Sequence, residues 1–94
     1  MKGYTYILAS RRNGTLYVGV TSNLQRRLEE HLNNLTPGFT SKHNVHTLVW
    51  FDRHDLITTA IQREKRIKKY PRQWKLNLVE ELNPEWDDLS AWLM

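Results

Sequence analysis

Cysteine is absent from the 94 residues, which excludes a disulfide framework and thiolate zinc sites alike. No apolar run approaches the roughly 20 residues that a bilayer-spanning helix needs, so no membrane association is expected. The opening MKGYTYIL is too short for a secretory signal and carries no small-residue cleavage site; a cytoplasmic protein is expected. The four glycines never fall into G-x-G-x-x-G, G-x-x-x-x-G-K-[ST] or G-x-S-x-G, and H-E-x-x-H is missing too, which removes the familiar phosphate-loop, hydrolase and zinc-protease arrangements. Internal repeats, low-complexity tracts and linkers are also lacking. What remains is a short chain with a net charge of +4. That charge is compatible with a polyanionic partner without demanding one. The length suits one domain of modest core, expected to fill residues 1–94 with a core over about 4–82 and a helical tail over 83–94.

Residues 4 to 10, YTYILAS, are aromatic and branched and read as a strand. Asn13-Gly14 is a hairpin signal, and a second strand over residues 15 to 20 is expected to pair antiparallel with the first. Leu16, Val18 and Val20 alternate there with Tyr17, Gly19 and Thr21. The period then changes: Leu24, Leu28, Leu32 and Leu35 recur at helical spacing. Thr21, Ser22 or Asn23 can cap this helix, which is expected to run to about residue 34. TPGFTSKHN is a loop by composition. VHTLVWF is a third strand whose apolar density predicts a central position. Helices are expected over about 56 to 69, ending before Pro71, and about 72 to 82, with a short capped helix in NPEWDDLSAWLM. The order β-β-α-β-α-α predicts a small α/β domain with a three-stranded, mostly antiparallel sheet. Trp74, Trp86 and Trp92 are expected to serve as packing ballast, with base stacking as the alternative.

Some residues fit a purely structural account poorly. Ile57, Ala60, Ile61 and Ile67 form the apolar stripe of the second helix, and Glu64 falls in its middle. An ionised carboxylate there costs several kcal/mol unless it is paired or binds a cation. It is either a buried ion pair with an arginine, a stripe end open to solvent, or a carboxylate aimed into a site, where it could bind metal. On the first helix Arg27 and His31 stand four apart, one turn above each other, while Arg26 points elsewhere. The strands add Tyr4 and Tyr6 on one face, and Tyr17 with Gly19 on one face of the next. A tyrosine beside a strand glycine can simply cover it, or the glycine can permit a close backbone approach.

Two phenols, a guanidinium, an imidazole and a carboxylate around one sheet would suit phosphodiester hydrolysis. That reaction needs a base for water, a cation against the developing charge and a Lewis acid. A single carboxylate cannot cage a metal, yet Mg²⁺ commonly takes one or two and completes its shell with water and phosphate oxygens. His43, His46 and His54 form a second candidate cluster, without the helical H-x-x-x-H spacing.

YTYIL, then LYVGVTSNLQRRLEEH after ten residues, and later AIQREKRIKK resemble the GIY-YIG nuclease domain, most closely its small bacterial branch. The likeness runs from about Tyr4 to Leu82, and NPEWDDL resembles tails of that branch. Tyr4-Thr5-Tyr6 stands where the family has Gly-Ile-Tyr, so the first glycine is replaced by Tyr4; Tyr17-Val18-Gly19 matches the second tripeptide. The resemblance implies a metal-dependent DNA endonuclease using Mg²⁺ or Mn²⁺, of the kind found in DNA repair or recombination. It makes Tyr6, Tyr17, Arg27, His31 and Glu64 catalytic, with Glu64 holding the ion and Arg27 facing the scissile phosphate. Tyr17 with His31 would serve the base, and Gly19 would have a structural role. Asn77 stands near the position of a family asparagine. Lys42, Arg63, Lys65, Arg66, Lys68 and Lys69 offer contacts to the DNA backbone. Since +4 is modest and no recognition module is visible, single-stranded or branched DNA is the expected substrate. Phe39 or Trp50 could stack a base. A protein partner could supply specificity, and the oligomeric state stays open. Two other readings stand beside this one: a nucleic-acid-binding module with little catalysis, and a nuclease active only within a complex.

Overall fold

A turn at Asn13, whose backbone adopts a positive φ of 57°, reverses the chain between its first two strands. The computed structural model describes residues 1–32 and 44–93. Strands β1 (Gly3–Ala9) and β2 (Leu16–Thr21) are followed by helix α1 (Leu24–Leu32), strand β3 (Thr47–His54), helices α2 (Ile57–Lys68) and α3 (Arg72–Leu82), and a terminal 3₁₀ helix (Leu89–Leu93). The sheet is three-stranded and antiparallel, in the order β2-β1-β3. The expected fold class and element order hold. The expected end of the first helix, at residue 34, lies outside the described residues, as do Leu35, Phe39, Lys42 and His43.

The third strand is not central. It lies at an edge, and β1 takes the centre. Its run of apolar residues has another cause: both faces of the sheet are covered. Ile7, Ala9, Val18, Val49 and Trp50 meet Ile67, Val79 and Trp86 on one face, while Tyr6, Leu8 and Leu48 meet Leu24, Leu28, Val45 and Leu89 on the other. A shift in the β1–β3 register between Ile7 and Leu8 leaves Val49 extra on β3, opposite no residue of β1. Val49 and Trp50 thus both enter the first cluster. The Val49 carbonyl accepts a bond of 3.1 Å from Asn83 Nδ2.

Helix starts are satisfied in different ways. Asn23 is the cap of α1: its Oδ1 accepts from the Arg26 amide at 3.1 Å. At α2 the Ile57 amide donates to the Met1 carbonyl at 2.7 Å. Thr5 Oγ1 donates to the Ala60 carbonyl at 2.8 Å, binding α2 to the centre of the sheet. α2 lies close because residue 3 is glycine; a Cβ there would stand 2.7 Å from Ile57 Cδ1 and 2.9 Å from Ala60 Cβ.

The short helix expected in the tail is of the 3₁₀ type, over Leu89–Leu93. Trp86 takes a positive φ of 58°, which L residues rarely adopt, and its indole Nε1 donates to Glu80 Oε2 at 3.2 Å. Asn83 holds this turn from both sides, donating to the Asp87 carbonyl at 2.8 Å and accepting from the Asp87 amide at 3.0 Å. The tail buries Trp86 on one face of the sheet and Leu89 on the other, and so wraps the β3 edge that would otherwise be open. Of the three tryptophans expected in the core, only Trp86 is there. Trp74 is 58% exposed and Trp92 63%, because Leu76, Leu78 and Val79 supply the packing stripe of α3.

Candidate active site

The β1–β2 register sets Tyr6 directly opposite Gly19 and Leu8 opposite Tyr17. A Cβ on Gly19 would stand 2.5 Å from both Cζ and the hydroxyl oxygen of Tyr6, and 2.9 Å from Tyr17 Cε2. The glycine therefore lets the Tyr6 ring cross over β2 and lie beside Tyr17, their centroids 6.3 Å apart. Helix α1 delivers His31 into the same corner. Its ring meets Tyr6 edge-on at 6.2 Å and Tyr17 at 5.7 Å. Tyr6 Oη and His31 Nε2 are 3.3 Å apart in a buried hydrogen bond.

Tyr6 is 1% exposed and His31 3%, whereas Tyr17 is partly exposed. Burial pushes the Tyr6 phenol well above its ordinary value. Nearby Tyr17, Glu64 and Glu30 add to this, and Arg27 opposes it. Tyr6 thus keeps its proton. Burial also holds the His31 imidazole below its ordinary value, helped by the charges of Arg27 and His46 and opposed by Glu30. His31 is therefore held in its neutral form.

Arg27 and Glu64 come from different helices, and both charges act on the Tyr6 hydroxyl. Each also has a partner one turn further along its own helix. Arg27 Nη1 is 3.7 Å from Glu30 Oε1, and Arg26 Nε is 3.8 Å from Glu30 Oε2. The Glu64 side chain, 14% exposed, lies 3.1 Å from Lys68 Nζ. Of the alternatives for Glu64, an ion pair is present, made by a lysine of the same helix rather than an arginine. Glu30 is the residue that sequence reasoning passed over; its spacing of four from Arg26 was the available signal.

The remaining candidates lie elsewhere. Arg63 is engaged by its neighbours: Nε is 3.9 Å from Asp52 Oδ2, Nη1 donates to Tyr70 Oη at 3.5 Å, and the guanidinium sits 5.8 Å from the Trp50 ring centroid. Trp50 itself is buried, and Lys65 is exposed. Asn77 is exposed on α3, the helix packed on the other sheet face, and its Oδ1 accepts from Gln73 Nε2 at 2.9 Å. His46 and His54 flank the two ends of β3, an eight-residue strand spanning about 26 Å, so they cannot share an ion. His54 Nε2 instead lies 3.4 Å from Asp52 Oδ2, without hydrogen-bond geometry.

Among the described residues no group of three His, Asp or Glu side chains could hold a metal, and no helix is long and apolar enough to cross a membrane. A divalent ion here would have one protein carboxylate, Glu64. Its ionised form is already balanced by Lys68, and the rest of the shell would fall to water and phosphate. That donor set fits Mg²⁺.

Residues 2–77 match the family described as the GIY-YIG catalytic domain. A UPF0213 protein of Syntrophus aciditrophicus is 36% identical over 85 residues, 89% of this chain and 95% of the relative. Another, from Natronomonas pharaonis, is 37% identical over 78 residues, 83% of this chain and 91% of its own. The solution NMR structure of the UPF0213 protein from Bacillus halodurans shares 25% identity, with a TM-score of 0.59 over 94% of this chain and 93% of that one.

Proposed function

This chain belongs to the GIY-YIG family, a nuclease family, and from that membership we propose that it is a divalent-metal-dependent endonuclease hydrolysing DNA phosphodiester bonds, with single-stranded or branched DNA as substrate. One observation carries the reading. A Tyr–Tyr–His cluster built from two strands and helix α1 lies within electrostatic reach of Arg27 on the same helix and of Glu64 on α2.

Hydrolysis requires water to attack phosphorus, a base to take its proton, and positive charge against the phosphorane-like transition state. Tyr17 is the ring of the three that reaches solvent, so the water proton passes to its hydroxyl. Neutral His31 behind it takes the proton at Nδ1, in the tautomer whose Nε2–H donates to the Tyr6 hydroxyl oxygen. This arrangement matters because an isolated phenol with a pKa near ~10 is a poor base. Tyr6, which holds its own proton, orients His31 through Nε2. Arg27 exchanges the Glu30 carboxylate for the scissile phosphate and opposes its growing charge. Glu64 would hold the cation, which supplies Lewis-acid polarisation of a phosphoryl oxygen when bound. Flexible strands reach so small a corner without the cost of deforming a duplex.

The test incubates the purified chain with one end-labelled strand, free, annealed to its complement, or built into a junction, with Mg²⁺, Mn²⁺ or EDTA. Metal-dependent cutting, faster on the free and branched strands than on duplex and falling with salt, is expected. Glu64→Gln should abolish it while DNA binding and folding persist. Cutting by that variant at the wild-type rate would remove Glu64 as the ligand, and equal rates on duplex and free strand would overturn the preference. Binding without any cutting by the wild-type chain would leave a binding module or a component of a larger complex.

A further inference from the structure

Trp74 is an indole that the fold exposes yet also holds in place. Its ring stands edge-on to Tyr70, with centroids 5.4 Å apart and planes at 71°. Tyr70 is itself tied to Arg63, and Arg63 to Asp52 on β3. The platform is therefore braced from the sheet, unlike Trp92 in the terminal turn. It forms one wall of an open cleft on α3, lined by Tyr70, Trp74, Asn77, Leu78 and Glu81. The cleft has an aromatic face, an apolar floor and two polar groups at its rim. Asn77 spends its Oδ1 on Gln73, so its amide N–H is what it has to offer. Glu81 can only accept when ionised.

The surroundings say what such a cleft would take. Residues 63–75 hold seven lysines and arginines against one glutamate, half of the fourteen basic residues in the chain. Lys69 beside Tyr70 is exposed, as are Lys68 and Arg72, whose side chains also meet Glu64 and the Asn13 and Gly14 carbonyls. A polyanion is drawn to this segment, yet Glu81 would repel a phosphate from the cleft itself. A base satisfies both conditions. Its π face stacks on the indole, its amino group donates to Glu81, and its phosphates stay outside among the cations. We infer that the Tyr70–Trp74 cleft is a subsite for an unpaired base of the bound strand, on the opposite side of the sheet from Tyr6 and His31. The inference rests on the nucleic-acid reading above and adds a place where a single strand, but not a paired one, gains contact.

The experiment measures binding in EDTA, without cleavage, by fluorescence anisotropy. It compares two oligonucleotides of equal length and charge, long enough to span the molecule, whose longest extent is 31 Å; one carries bases and the other is abasic throughout. The wild-type chain should bind the base-bearing strand more tightly by about five-fold or more, the range expected for one stacked base. Trp74→Ala should erase most of that ratio without weakening abasic binding, Trp74→Phe should keep much of it, and Trp92→Ala should leave it unchanged. Base-bearing strand should also quench the emission that Trp74→Phe removes, a readout independent of how the alanine variant folds. An unaltered ratio in Trp74→Ala, or a wild-type ratio of one, overturns the subsite and leaves the nuclease reading standing. Failure of the wild-type chain to bind either strand overturns both. Self-association that Trp74→Ala abolishes, with the strand ratio unchanged, would assign the cleft to a second copy of the chain instead.

Discussion

Arg26 and Arg27 are adjacent, share the partner Glu30 and look alike in the sequence, but they point about 100° apart on α1. Of the two, it is the charge of Arg27 that acts on Tyr6 and His31. Partly exposed ion pairs of this kind contribute little, so a phosphate can readily replace Glu30. Arg27→Ala should therefore lower the cleavage rate on the order of 10²-fold or more, the scale of a lost transition-state charge contact. Arg26→Ala should change mainly the salt dependence of binding. Initial rates and binding across a salt series check this, and equal small effects at both positions would reduce Arg27 to surface charge. At this scale much was legible. Glu64 stood out because a carboxylate on an apolar stripe needs a reason, and Lys68 four residues on was a readable partner. That Arg63 belongs to Asp52 and Tyr70 was not readable, since both partners lie outside its own helix.

At the scale of elements, the strand pair β1–β2 builds the site, and Gly19 is its narrowest point. Gly19→Ala would drive a methyl into Tyr6, a ring held on one side by His31 and buried by its neighbours. Tyr6 has no room in which to yield. Overpacking of this sort costs about 1–3 kcal/mol. The denaturation midpoint should fall at unchanged m-value, and activity should be lost beyond what the stability change explains. An alanine variant of wild-type stability and rate would show that the close approach is dispensable. The position of β3 belongs to the same scale. Apolar density in residues 45 to 51 suggests a central strand, but β3 is at an edge, because density reports covered faces, not hydrogen-bonded edges. The tail that covers the free edge is held by Asn83 and by Trp86 in a left-handed conformation, neither of which periodicity can detect.

The fold as a whole carries one titration that should show in its stability. His31 is buried beside Arg27 and His46, so its folded-state pKa lies below that of the unfolded chain. Between those two values the unfolded state binds more protons, and stability rises with pH. The contribution is complete above the ordinary histidine value of about 6.5 and is lost as pH falls below it toward the folded value. His31→Gln should flatten this part of the profile, while the loss from carboxylates at lower pH remains. Unfolding midpoints of both proteins from neutral to mildly acid pH provide the check; parallel profiles would mean that other groups carry the dependence.

Local information was enough for the elements and for the family. The alternation in residues 15 to 21, the leucines at helical spacing from Leu24, and the stops at Asn13-Gly14 and Pro71 act through neighbours a few residues away, so the sequence alone determined where strands and helices form. Its resemblance to that family also grouped Tyr6, Tyr17, Arg27, His31 and Glu64 as candidate site residues. Only the tertiary structure decided the strand order, the burial of Tyr6 and His31, the proton each one holds, and the exposure of Trp74. Each of these depends on groups far apart in the chain meeting in space. Desolvation and close contact are properties of that meeting, and no residue carries them on its own.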